Sequence, residues 1–170
     1  MSYTPKSLGH VNIYVRNAER SQKWYEEVLG LHTYDFVPGR AAFMSADKEI
    51  SHEIALMEVG ENALGPQKGQ VGLNHMAWYM HSLDDLKELY QRLQDLNVTI
   101  DRVSDHGLAI GIYLRDPDGN GIEVSYEMPR SEWEREENLF MSGGLTQKGR
   151  LPGPWDEAIA KADAAAAAAR

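Results

Sequence analysis

Two histidines and one glutamate stand where they could share a metal ion. His10 and His75 open segments that align without gaps, "HVNIYVRNAERSQKWY" over "HMAWYMHSLDDLKELY", with Tyr14 on Tyr79, Asn17 on Ser82 and Tyr25 on Tyr90. Matching positions in a repeat are related by a pseudo-twofold axis, which would carry both imidazoles towards one point. Near the end of the second copy, "GIEVSYE" sets Glu123 48 residues after His75, between Ile122 and Val124; in the first copy, "HEIALME" sets Ala55 45 residues after His10. The pattern supplies two imidazoles and one carboxylate, with an alanine where a second carboxylate could have stood. Such a set leaves adjacent coordination positions open, as in non-haem Fe(II) sites that activate oxygen. A closed structural site would need a fourth ligand. His52, in "SHEIAL" at the mouth of an apolar run, suits a metal ligand, an acid-base or a surface residue, and its type alone does not separate these.

The elements that must position these side chains follow from the same repeat. In each copy an alternating run, Val11 to Val15 or Met76 to Met80, reads as a strand and meets a helix N-cap, Asn17 or Ser82. The helices are expected over about Ala18 to Leu29, stopped by Gly30, and about Leu83 to Leu96, ended by Asn97. Trp24, Tyr25 and Val28 in the first, and Leu86, Leu89 and Leu93 in the second, have helical spacing. Three further strands follow in each copy, roughly 31 to 37, 40 to 46 and 52 to 59, then 98 to 103, 108 to 114 and 121 to 127, with Asp116-Pro117-Asp118-Gly119-Asn120 the strongest turn signal. The expected class is α+β: one domain, 1 to 127, of two βαβββ modules (about 8 to 59 and 73 to 127) joined by a Gly-rich linker, 60 to 72, and enclosing an open, barrel-like cavity around the metal. Residues 128 to 170 form a C-terminal extension, first extended, then an Ala-rich helix or disordered stretch with almost nothing to bury.

Composition narrows the chemistry. With no cysteine among 170 residues, disulfides, iron-sulfur clusters, thiolate zinc and a cysteine nucleophile are excluded, so a metal must rest on histidines and carboxylates. The formal charge of -9 argues against nucleic acid or an anionic membrane as partner. The N-terminus lacks the pattern of a signal peptide and no apolar run approaches the ~20 residues of a membrane span, so a cytoplasmic location is expected.

Three segments carry a resemblance. "LGHVNIYVRN", "GLNHMAWYM" and above all "SDHGLAIGIYLRDPDGNGIEVSYE" resemble the vicinal oxygen chelate superfamily (glyoxalase, bleomycin resistance, dioxygenase). The last is most similar to its type I extradiol ring-cleaving, catechol 2,3-dioxygenase members. The resemblance covers residues 8 to about 133. It implies a metal triad of His10, His75 and Glu123, with Fe(II) the usual ion and Mn(II) an occasional one. It places His52 as an acid-base, His106 as a second histidine near the substrate oxygen, and Tyr113 as the hydroxyl that hydrogen-bonds the bound diol. One departure is plain: many of these enzymes carry a further, non-catalytic pair of modules, and this sequence has one pair.

The implied reaction inserts both atoms of O2 into a catechol-type aromatic diol beside its hydroxyls. Within the same superfamily, lactoylglutathione lyase needs a second acidic ligand, and Ala55 occupies that place. A fosfomycin-type thiol transferase shares the triad but does not account for His52 together with His106. A bleomycin-type binding protein is the non-enzymatic alternative, and the triad argues against it. His32 and His81, beside helix boundaries, are expected to be structural or solvated. Trp78, Phe43 and the 133 to 140 segment are candidate pocket walls for an aromatic guest, and a homo-oligomer is expected.

Overall fold

The computed structural model describes residues 3 to 133 and 151 to 168, arranged as two compact units. Unit 1 comprises Met1–Val71 with Asp116–Asn120; unit 2 comprises Gly72–Arg115 with Gly121–Arg170. None of the described helices is long and apolar enough to cross a membrane.

Unit 1 runs β1 (Val11–Val15), α1 (Ala18–Leu29), β2 (His32–Val37), β3 (Ala41–Ser45) and β4 (Ile54–Glu58). Helix α1 begins where Asn17 Oδ1 accepts the Arg20 amide at 2.9 Å and ends at Gly30, whose φ of 72° is left-handed. The sheet order is β1-β4-β3-β2, with β4 returning parallel to β1 and the other pairs antiparallel. Alternation on β1 buries Ile13 and Val15 and leaves Asn12 and Tyr14 exposed. Tyr25 and Val28 of α1 are buried, and the helix packs on β3 and β4.

Unit 2 repeats the plan with β5 (Met76–Tyr79), α2 (Leu83–Asp95), β6 (Ile100–Asp105), β7 (Ala109–Arg115) and β8 (Gly121–Glu127), in the order β5-β8-β7-β6. Asn97, at φ 53°, takes the left-handed turn that Gly30 makes in unit 1. The α+β class with two four-stranded mixed sheets is therefore as the sequence implies. Beyond the repeat come a short 3-10 turn, Arg130–Glu132, and α3 (Asp156–Ala168). The extension thus carries regular structure, and it does have something to bury: Trp155 is fully buried and Ile159 nearly so. Expectations for residues 134 to 150 lie outside the described residues.

The two sheets share a register, and this fixes which residues are equivalent. Asn12 lies opposite Ala55 in unit 1 as Ala77 lies opposite Glu123 in unit 2; Phe43 faces Ala55 as Tyr113 faces Glu123. Each sheet has an irregularity at the same place, between Thr33 and Asp35 and between Ile100 and Arg102.

The turn Asp116–Asn120 is stitched by its own first residue. Asp116 Oδ1 accepts the amides of Asp118 (2.9 Å) and Asn120 (2.8 Å), and Oδ2 accepts Asn120 Nδ2 (2.8 Å) and the Tyr25 hydroxyl (3.3 Å). Within the same unit, the buried Asp118 carboxylate accepts Arg16 Nη1 at 2.9 Å, the Arg16 amide at 3.1 Å and Arg20 Nη2 at 2.6 Å. Burial pushes the Asp118 carboxyl up, but the bonds from Arg20 and Arg16 outweigh burial and hold it below its ordinary 3.8. A carboxyl lowered on folding contributes stability above its unfolded value, and that stability is lost as pH falls through the lowered folded value. Asp118→Ala is expected to cost about 2 kcal/mol, since charge-assisted bonds from partly exposed arginines are lost. Urea unfolding should show a lower midpoint at unchanged slope, with the gap to the parent protein closing in acid.

Candidate metal and catalytic site

Glu123 is the third residue of β8, between the buried Ile122 and Val124, and its side chain is 14% exposed. A carboxylate so placed must be satisfied on both oxygens. Tyr113, directly across on β7, donates its hydroxyl to Oε1 at 2.9 Å, and His75 Nε2 lies 2.9 Å from Oε2. The space for the carboxylate comes from Gly111: a Cβ there would run into Glu123 Oε1. Gly111→Ala is accordingly expected to turn Glu123 away from His75 and to weaken divalent metal binding about 10- to 100-fold, the range for residues that orient ligands. Metal titration followed by calorimetry would show it, with the fold checked by circular dichroism.

His75 immediately precedes β5, and its Nδ1 faces Asn74 Oδ1 at 2.7 Å. Asn74 Oδ1 can only accept, so Nδ1 carries a proton and Nε2 is the nitrogen turned to Glu123. Nε2 and a carboxylate oxygen converge at 2.9 Å, a separation that needs a proton on Nε2 or a cation beside the pair. This imidazole-carboxylate pair fits a hard-to-borderline divalent metal such as Mn(II) or Fe(II) and, lacking thiolate, does not fit a soft one.

Tyr113 joins this pair to the next predicted residue. His106 follows β6 in a turn closed by its amide on the Ala109 carbonyl (2.8 Å), and its Nε2 comes within 3.2 Å of the Tyr113 hydroxyl. Burial, then the bond and charge of Glu123, push the Tyr113 hydroxyl up to about 12, with Arg102 partly opposing. Tyr113 therefore stays protonated near neutrality and acts as a donor. The His75 ring meets its edge at 5.5 Å, and the Arg102 guanidinium lies over its face at 4.0 Å. His75, Arg102 and Tyr113 line a cavity of about 330 Å³.

In unit 1 the two predicted histidines are neighbours. The rings of His10 and His52 are 4.4 Å apart at a tilt of 40°, and His52 meets Phe43 edge-on at 5.4 Å. Ser51 Oγ is 3.1 Å from His52 Nδ1. Ala55 is fully buried at the register position equivalent to Glu123. Glu53, also in "SHEIAL", is a loop clamp: its Oε2 accepts the Ser45 hydroxyl at 3.0 Å and the amides of Ala46 (2.8 Å) and Asp47 (3.3 Å).

The structure thus brings His75, Glu123, Tyr113 and His106 together in unit 2 and pairs His10 with His52 in unit 1. Among the described residues, no three His, Asp or Glu side chains form a group that could hold a metal. His32 is exposed and packs edge-on against Tyr34 at 4.6 Å, and His81 is an exposed neighbour of the Ser82 cap. Of the expected pocket walls, Phe43 does lie beside His52. Trp78 follows Ala77 on β5 and so points to the sheet face opposite Glu123; its buried Nε1 has no partner among the described residues. Trp133 packs on Leu108 and donates Nε1 to the Met128 carbonyl at 3.0 Å. Arg102 was not anticipated, because simple alternation from Ile100 assigns it to the opposite face and only the irregularity in β6 sets it across from Tyr113.

Comparison with known proteins gives the family and the fold. Residues 7 to 124 match the model of the Glyoxalase/Bleomycin resistance protein/Dioxygenase superfamily. The chain is 31% identical over 139 residues to catechol-2,3-dioxygenase of Bacillus subtilis, a match covering 76% of this chain and 44% of that protein. It is 32% identical over 129 residues to biphenyl-2,3-diol 1,2-dioxygenase 3 of Rhodococcus globerulus, covering 75% of this chain and 66% of that protein. The chain therefore spans between under half and two thirds of the length of these relatives. Among solved structures, a glyoxylase/bleomycin resistance protein/dioxygenase domain from Frankia superposes with a TM-score of 0.62 at 22% identity, covering 73% of this chain and 99% of that one, which shows a shared fold. On the match over residues 7 to 124, this chain belongs to the Glyoxalase/Bleomycin resistance protein/Dioxygenase superfamily.

Proposed function

We propose that the protein is an extradiol ring-cleaving dioxygenase, opening a catechol-type aromatic diol beside its hydroxyls with both atoms of O2 entering the product. The observation that carries this reading is the register itself: Glu123 and the buried Ala55 occupy equivalent positions, so the repeat offers one carboxylate and one gap. A gap leaves room for exchangeable oxygen ligands. The curated relatives at 31% and 32% identity, a catechol and a biphenyl-2,3-diol dioxygenase, support the same chemistry.

His10, His75 and Glu123 are the residues that would hold Fe(II), or Mn(II) in its place, and such an ion would supply Lewis acidity and redox chemistry at the diol. The chain's own groups do the rest. Tyr113, protonated up to about 12, orients a diol oxygen by turning its one O–H from Glu123 to it. His106, 3.2 Å from that hydroxyl, steadies it and offers a second polar contact. His52 takes a phenolic proton and returns it to an oxygen that stays in the product as the ring opens, a two-way task suited to imidazole. The aromatic substrate and O2 sum to one hydroxymuconic-semialdehyde-type product, with no external reductant.

Oxygen uptake by the Fe(II)-loaded protein, measured with mono- and bicyclic catechols and followed by the yellow of the ring-opened product, tests this directly. Stoichiometric uptake with one oxygen molecule per diol is expected. A protein that binds Fe(II) yet consumes no oxygen with any catechol, but turns over fosfomycin with a thiol, would move the assignment to the thiol transferases.

A further inference from the structure

Helix α3 lies outside residues 7 to 124, the span matched by the superfamily, and is built in an unusual way. Its start is firmly held. Trp155 is buried, donates Nε1 to the Leu151 carbonyl at 3.1 Å, and meets Tyr90 edge-on at 5.8 Å. Gly153 is required for this fold-back, because a Cβ there would run into the Trp155 ring. Leu151 in turn donates its amide to Asp105 Oδ2 at 2.7 Å, on the residue next to His106. After Ile159 apolar burial ends: the positions that follow on that face are Ala162 and Ala166, at helical spacing, and both remain exposed. A helix laid on a sheet ordinarily fills the interface with a larger apolar stripe. Here a cavity of about 520 Å³ lies between α3 and β6, with Arg102, Val103 and His106 on one wall and Ile159, Ala162 and Ala166 on the other.

Two residues connect this space to the candidate site. Arg102 lines both this cavity and the smaller one containing His75 and Tyr113, and His106 Nε2 lies within 3.2 Å of the Tyr113 hydroxyl. We propose that the space between β6 and α3 is a substrate subsite, taking the uncharged aromatic or apolar substituent of the diol, with Ala162 and Ala166 setting the size it admits. The inference rests on the dioxygenase reading and adds to it the substrate class, a catechol with a bulky neighbouring substituent. The volume falls within the range of small-molecule pockets. Asp105 and Asp163 on its walls oppose an anionic substituent, while the Arg102 guanidinium is already engaged by the Tyr113 face.

The test uses the Fe(II)-loaded full chain, with binding of catechol and of biphenyl-2,3-diol measured by anaerobic titration, and steady-state turnover of both. In the double variant Ala162→Leu/Ala166→Leu, the Kd and KM for biphenyl-2,3-diol should rise at least about 10-fold, while catechol stays within about two-fold. Ala164→Leu, on another face of the same helix, should change neither. Retained catechol affinity and an unchanged near-ultraviolet signal from Trp155 show that the variants fold. Equal effects on both diols, or none on either, overturn the subsite while leaving the dioxygenase reading in place. A parent protein that binds Fe(II) but neither diol overturns both.

Discussion

Glu123→Gln is expected to abolish turnover and to lower affinity for Fe(II) or Mn(II) by at least about 100-fold, more than the loss on changing a residue that merely orients a ligand. The substitution keeps the shape of the site. The amide oxygen still accepts from the Tyr113 hydroxyl, and the amide nitrogen can donate to His75 Nε2, whose other nitrogen is turned to Asn74 Oδ1. What is lost is the negative charge that would neutralise a cation between two acceptors. The same loss has a signature independent of the metal. Burial, then the bond and charge of Glu123, hold the Tyr113 hydroxyl at about 12. Removing the charge should bring it down towards the ordinary 10.0, because Arg102 then opposes burial without the Glu123 charge. A spectrophotometric titration of tyrosinate, taken as the difference from a Tyr113→Phe background, reads this shift. Unchanged metal affinity in Glu123→Gln would remove the carboxylate from the ligand set, whereas an unmoved Tyr113 would show that it does not face Glu123 in solution.

Much of this architecture was legible because the chain states it twice. The bounds of α1, Ala18–Leu29, follow from an N-cap asparagine and a glycine that can turn left-handed, both local signals. The equivalence of Ala55 with Glu123 came from aligning two short apolar runs, and the strand register agrees because a one-residue slip would invert every side chain of β4 or β8. Resemblance implied a place near the substrate for His106 and for Tyr113 separately, but not their contact at 3.2 Å; spacing by itself cannot say that a turn after β6 folds a histidine back over β7. Arg102 escaped because one irregularity shifts the phase of alternation, and an irregular residue has no marker in "IDRVSD". Glu53 was opaque for a different reason. Its partners are amides and a hydroxyl of the preceding turn, and backbone donors do not show in a pattern of residue types. The extension was underestimated because composition counts alanines, whereas the anchoring of α3 rests on two residues, Trp155 and Ile159.

His52→Gln is expected to leave metal content unchanged and to lower kcat by about 100-fold or more, the usual contribution of a positioned acid-base. The two imidazoles of unit 1 lie 4.4 Å apart, so the variant asks which of them holds metal and which moves protons. Glutamine has similar reach, can keep the contact with Ser51 Oγ that His52 makes at 3.1 Å, and can pack against the Phe43 edge, but it cannot carry a proton between two oxygens. Diol binding, measured without oxygen, should therefore survive while turnover fails. His10→Ala gives the contrasting pattern: metal content falls, and turnover falls with it. If both variants lose metal, His52 is a ligand and the proton must be moved by His106 or by solvent. If His52→Gln keeps both metal and kcat, the acid-base assignment fails outright. The predicted separation, metal lost in one variant and rate in the other, comes from neighbouring side chains of the same chemical type. It depends on which imidazole immediately precedes the first strand of its unit, as His75 does β5, and in unit 1 that residue is His10, before β1.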